Sequence, residues 1–239
     1  MSAIGTGNIQ LDHCCGVSYE WRCQHCTFST LVPTEERLVY AIRDHFRRDG
    51  GNVLLQQSSH DDHSQRACMR HLSTYDLAET GVLVVTKSPG ERLTAWRREV
   101  GAWPQRLTIL TPNMADTLPA SDVVDEADFF DGPLAIEEIG SGGLDTVARA
   151  IDRELKKLAE TTARVTVCIH TLTELLTSFG TQPVFKLVHA LGGRVRNADA
   201  FAHWHYMPDT QIQSSNHIVR QPFQLLHETR DGANTLRQL

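Results

Sequence analysis

From Asn52 onward the chain alternates short, nearly continuous apolar runs with longer stretches in which apolar residues return every three or four positions. The short runs predict strands at Val53–Gln56, Val82–Thr86, Leu107–Leu110, Val165–Ile169, Ala200–Trp204 and Phe223–Leu226, with a brief one at Leu134–Ile136. The periodic stretches predict helices at Asp61–Leu72, Glu91–Val100, Leu144–Glu160, Leu172–Phe179, Val184–Leu191 and Gln213–Arg220. Strands that lack polar alternation are buried on both faces, and helices between them supply the cover. The pattern therefore predicts a three-layer α/β domain with a mainly parallel sheet.

Residues 1–50 have a different texture. They hold four of the six cysteines and a helix signal beginning at Thr34, an N-cap followed by Glu35 and Glu36 in the first turn. Leu38, Ile42 and His45 share one face of that helix, and Gly50-Gly51 stops it. The organisation expected is a zinc-binding module over 1–50, an α/β domain over 51–230 and a flexible tail over 231–239.

Composition narrows the function classes. The 239 residues carry a formal net charge of −6, which argues against a general nucleic-acid binder, because such binding needs concentrated Lys and Arg. The acidity comes from one stretch: between Arg106 and Arg149 there are nine Asp and Glu and no Lys or Arg. Pro112, Pro119, Pro133 and the glycines at 140, 142 and 143 punctuate it, so it reads as a solvated connection rather than a carboxylate metal site. No apolar run is long enough for a membrane span, and the first 30 residues lack a signal-peptide profile. The expected location is the cytoplasm, where clustered cysteines point to metal before disulfide.

Three places could carry chemistry. The first is Cys23-x2-Cys26, a knuckle that can present two thiolates to one Zn²⁺, with His45 as third ligand and Cys14, Cys15 or His13 as fourth. The second is the turn after the first α/β strand, Gln56 to Ser64, where a nucleotide-binding domain would carry a glycine-rich loop and a lysine. It contains neither, so a working phosphate loop is excluded. The third is a group of histidines, His60, His63, His170, His203 and His205, that would rim the crevice at the carboxyl ends of neighbouring strands. Three of them could hold Zn²⁺ with an open position for water, although His203 and His205 share one side of their strand. Cys68 and Cys168, on apolar faces, read as small buried residues rather than ligands.

The order of elements resembles that of RecA/KaiC-type ATPases, and the wording resembles a group of RecA-like proteins from halophilic archaea. The stretches that carry this are Gly51–Leu55, Val82–Leu93 with Trp96, Val165–Leu176, and Val184–Leu191 through Asp199–His205. The resemblance implies a RecA-like, P-loop-type fold over residues 51 to 227. In those ATPases the strand ending near Ile169 carries a magnesium-associated acid, whereas position 170 here is His. The resemblance thus implies the fold with both halves of the hydrolytic apparatus degenerate. The N-terminal knuckle is similar to small zinc-finger modules of the same organisms, without the second His that usually follows the first.

The function expected is a non-catalytic regulatory or scaffold role through a protein partner, with structural zinc, no membrane association and room for a homo-oligomer. One alternative is a metal-dependent hydrolase using His170, His203 and His205. Another is nucleic-acid binding through the zinc module, whose Arg-rich helix is offset by six acidic side chains against five basic ones in residues 1–50.

Overall fold

Val, Leu and Ile without interruption make strands that need cover on both faces, and the chain supplies it by returning through a helix after almost every strand. The computed structural model describes residues 9–14, 18–23, 29–32, 50–57, 62–112, 132–140, 142–208, 216–230 and 233–239. The main sheet contains β4 (Gly51–Gln57), β5 (Thr80–Val85), β6 (Arg106–Thr111), β7 (Leu134–Glu138), β8 (Arg164–Ile169), β9 (Phe201–Tyr206), β10 (Leu225–Arg230) and β11 (Ala233–Gln238). Their order is β11-β10-β4-β9-β8-β5-β6-β7. Seven of them run parallel, and β11 returns antiparallel along β10. Strand β9 lies between β4 and β8, the neighbour relation expected of RecA-like order.

Helices α1 (Asp62–Leu72) and α2 (Pro89–Glu99) cover one face. The other face carries α3 (Leu144–Thr161), α4 (Leu172–Phe179), α5 (Thr181–Asn197) and the short α6 (Asn216–Arg220). Strand alternation divides the core accordingly. In β5, Val82 and Val84 pack under α1 and α2, while Leu83 and Val85 pack under α3 and its neighbours. Each such side chain is worth about 1.5–3 kcal/mol of burial, so the two layers fix the position of every strand between them.

The zinc and tail expectations meet the structure differently. Cys14 closes β1 (Ile9–Cys14) and Cys23 closes β2 (Ser18–Cys23), which with β3 (Ser29–Val32) form a separate antiparallel sheet. Of these two cysteines only the backbone is described. Cys15, Cys26, His45 and the helix expected from Thr34 lie outside the described residues, as does the acidic stretch 113–131. Residues 233–238, expected within a flexible tail, instead form β11, whose Leu236 is fully buried. An outer strand there covers the edge that β10 would otherwise leave open.

Helix α5 also runs longer than its apolar pattern, continuing through Gly192 and Gly193. At Gly192 the approach is close: a Cβ there would stand 3.2 Å from Asn52 Nδ2, which donates to the Gly192 carbonyl and would have to give way. Gly50, just before β4, has φ +60°, and a Cβ would meet the Ala200 carbonyl at 2.7 Å. Among the described residues no helix is long and apolar enough to cross a membrane.

Candidate metal centre

The inward face of α1 is made by Ser64, Ala67, Cys68, His71 and Leu72, the i, i+3, i+4, i+7, i+8 stripe of a helix lying on a sheet. Two of its five members carry sulfur or imidazole where aliphatic side chains would ordinarily sit. The strands beneath answer in kind through their alternation. Strand β9 turns Phe201, His203 and His205 toward α1 while Ala202, Trp204 and Tyr206 join the opposite core. In β8, Cys168 faces the α1 layer and Thr166 donates its hydroxyl to the Leu72 carbonyl at 3.0 Å.

Cys68, Cys168, His203 and His205 thereby converge, with one potential ligand atom from each lying within 4.8 Å of all the others. All four are buried; Cys68, Cys168 and His203 are 0% exposed and His205 is 3%. The two sulfurs are 3.7 Å apart, and His203 Nε2 is 3.3 Å from Cys68 Sγ. Two thiolates bound at about 2.3 Å to a tetrahedral ion stand about 3.8 Å from each other, so the pair already has the spacing of two corners of a zinc tetrahedron. A disulfide would need about 2.05 Å; both cysteines are free thiols. The residues of this cluster could hold a metal ion.

Local electrostatics suit ligand chemistry. The Cys68 thiol is held well below its ordinary value by the hydrogen bond from Cys168, helped by His205 and His203. Burial pushes Cys168 well above it. Burial also holds His205 neutral, down to about 4. His205 Nδ1 donates to Gln57 Oε1 at 3.0 Å, and its Nε2, buried and without a hydrogen-bond partner among the described residues, is the nitrogen that could serve as a ligand. Arg92, from α2 and 4% exposed, lines the same small cavity as the two cysteines.

The surroundings are also imidazole-rich. His71 and His227 face each other, Nε2 to Nδ1, at 2.9 Å, and the His71 ring is 5.1 Å from that of His203. His170, half-buried in the turn after β8, has its ring 4.4 Å from that of His205. Of the crevice histidines expected from sequence, His203 and His205 do come together, and His170 stands beside them. They point under α1 into the core rather than out into an open crevice. His60 and the side chain of His63 lie outside the described residues. Cys68 and Cys168 are buried as expected, yet they are half of the cluster. The signal that could have found them is their position: Cys68 on the inward stripe of α1, and Cys168 in alternation with Val165, Val167 and Ile169.

Comparison with solved structures finds the fold in other proteins. A Pyrococcus horikoshii OT3 protein from the structural study of project PH0250 superposes with a TM-score of 0.50 at 12% identity, over 83% of this chain and 90% of that one. The uncharacterised P. horikoshii protein PH0321, solved with an unknown peptide, aligns at TM-score 0.49 and 14% identity, over 75% and 77%. A third solved structure, described as an ATPase domain, aligns at 0.43 and 12%, over 82% and 83%. No curated protein matches the sequence. Residues 50–222 match the model of a family of unknown function, DUF7504.

Proposed function

The chain belongs to DUF7504, and we propose that within this family it is a RecA-like domain without nucleotide hydrolysis, built around one structural Zn²⁺ and serving as a regulatory or scaffold protein for a protein partner. The observation that carries this reading is the closure of the Cys68–Cys168–His203–His205 cluster. Two sulfurs and two imidazoles suit Zn²⁺ and not Mg²⁺ or Ca²⁺. Four protein ligands with no face toward solvent are the structural type of zinc site; a catalytic one keeps a position open for water.

The position of the cluster supports the loss of nucleotide chemistry. It lies beneath α1, the helix whose N-terminus would receive phosphate in a nucleotide-binding relative. The preceding turn, Gln57 to Ser64, contains no Gly or Lys, and His170 follows β8 where a magnesium-associated acid would be expected. The hydrolase alternative has less support, because His203 and His205 are buried and His170 alone of its three residues is partly open. The N-terminal knuckle, Cys23 and Cys26 with His45 and Cys14 or Cys15, is proposed as a second, separate zinc site, and nucleic-acid binding through it as the weaker use of that module.

Metal analysis of the purified chain tests the central claim. We expect Cys168→Ser to lose one equivalent of zinc and to lower Tm sharply, since structural Zn²⁺ binding is worth on the order of 10 kcal/mol in small zinc domains. Unchanged stoichiometry in that variant refutes the core site; Cys23→Ser reports on the knuckle independently. For the nucleotide site, millimolar ATP with Mg²⁺ should leave Tm unmoved; a rise of several degrees would contradict the reading as far as binding is concerned.

A further inference from the structure

We infer that His71 is a positioning residue for the metal centre, the outer partner that accepts the second ring proton of His203 and passes the hydrogen-bond chain on to His227. The inference rests on the metal reading and starts from an imbalance between the two histidine ligands. His205 has its outer nitrogen anchored on Gln57. His203 presents Nε2 to Cys68 Sγ, so as a ligand it must carry its proton on Nδ1, and that atom is buried with no hydrogen-bond partner among the described residues. A metal-bound imidazole almost always donates its outer N–H, and leaving a buried donor unmade is costly.

The rings around His203 restrict the acceptor. Phe201, 6.5 Å away between centroids, has no acceptor nitrogen, and both nitrogens of His205 are committed to Gln57 and to the cluster. His71 remains: its ring is 5.1 Å from that of His203, tilted by 33°, and its Nδ1 is likewise a buried nitrogen with no hydrogen-bond partner among the described residues. Each of the two unmade bonds is what the other needs, whether it is closed directly or through one bridging water. The rest of the chain then has one consistent set of tautomers. With Nδ1 accepting, His71 carries its proton on Nε2 and donates to His227 Nδ1 across the observed 2.9 Å. The line metal–His203–His71–His227 links β9, α1 and β10 and fixes the plane of the His203 ring.

Histidine-selective ¹⁵N NMR on the Zn²⁺-loaded full chain decides the tautomers. We expect Nδ1–H on His203 and Nε2–H on His71; His71 protonated at Nδ1, or His203 without a proton there, overturns the inference. Zn²⁺ affinity measured by chelator competition gives the second readout. His71→Leu should weaken binding about 10- to 100-fold at unchanged stoichiometry. His71→Asn, which keeps an acceptor near the Nδ1 position, should recover most of it. Equal affinity in all three proteins overturns the positioning role alone, whereas a chain that takes up no Zn²⁺ at Cys68 and Cys168 overturns the metal reading with it. If His71→Leu fails to fold, the wild-type spectra still decide.

Discussion

His71 and His205 are imidazoles that burial holds neutral, His71 well below its ordinary range and His205 at about 4. An unfolded histidine titrates near 6.5. Below that pH the unfolded chain takes up protons that the folded chain refuses, so the stability these two residues supply is whole above about pH 6.5. It declines as the pH falls, and for His205 the decline ends once pH passes about 4. The Cys68 thiol, held low by its neighbours, acts in the same direction, its contribution declining already as pH falls below an unfolded thiol's value of about 8.5. With metal removed by chelation, the unfolding free energy from urea titrations should therefore drop steadily between pH 6.5 and 4, by up to about 1.4 kcal/mol per pH unit for each such histidine. A free energy that stays level across this window would show that these imidazoles are hydrated in the metal-free protein.

Elements in this fold are tied together by buried polar side chains as well as by apolar packing. Asn52, fully buried in β4, donates from Nδ2 to the Gly192 carbonyl of α5 at 3.3 Å and accepts from Trp204 Nε1 of β9 at 3.0 Å. Its backbone N–H also donates to Gln224 Oε1 at 2.8 Å, just before β10. Asn52→Ala would leave the Trp204 indole N–H without its acceptor inside the core, while the Gly192 carbonyl keeps its bond within the helix. We expect a loss of about 1–3 kcal/mol by urea denaturation, and no measurable loss would mean that water replaces the network. The same tie bears on one of the two glycines of α5: at Gly192 a Cβ would press on Asn52 at 3.2 Å, whereas a Cβ at Gly193 would meet nothing within 4 Å.

On the scale of the molecule, β11 closes one edge of the sheet. Ending the chain after Arg230 would uncover β10 and the site of the buried Leu236, and the truncated protein should melt lower and self-associate; an unchanged elution volume on size-exclusion chromatography with unchanged Tm would refute this. The polar content of that end hid it from sequence reasoning, because Glu228, Thr229 and Arg230 break the apolar run of β10, and Ala233–Gln238 has a single large apolar residue. The strands from β4 to β9 and the helices around them were legible from sequence alone, since which face of a segment is buried is written in its own periodicity. That Thr34–Arg48 makes a helix is a sequence expectation outside the described residues. What periodicity does not encode is which buried faces meet. Cys68 and Cys168 lie 100 positions apart with no ligand spacing between them, and each by itself looks like one more small core residue. Strand order, fixed by pairings between distant segments, brings β8 and β9 side by side under α1. Only there do two cysteines and two histidines become a single constellation.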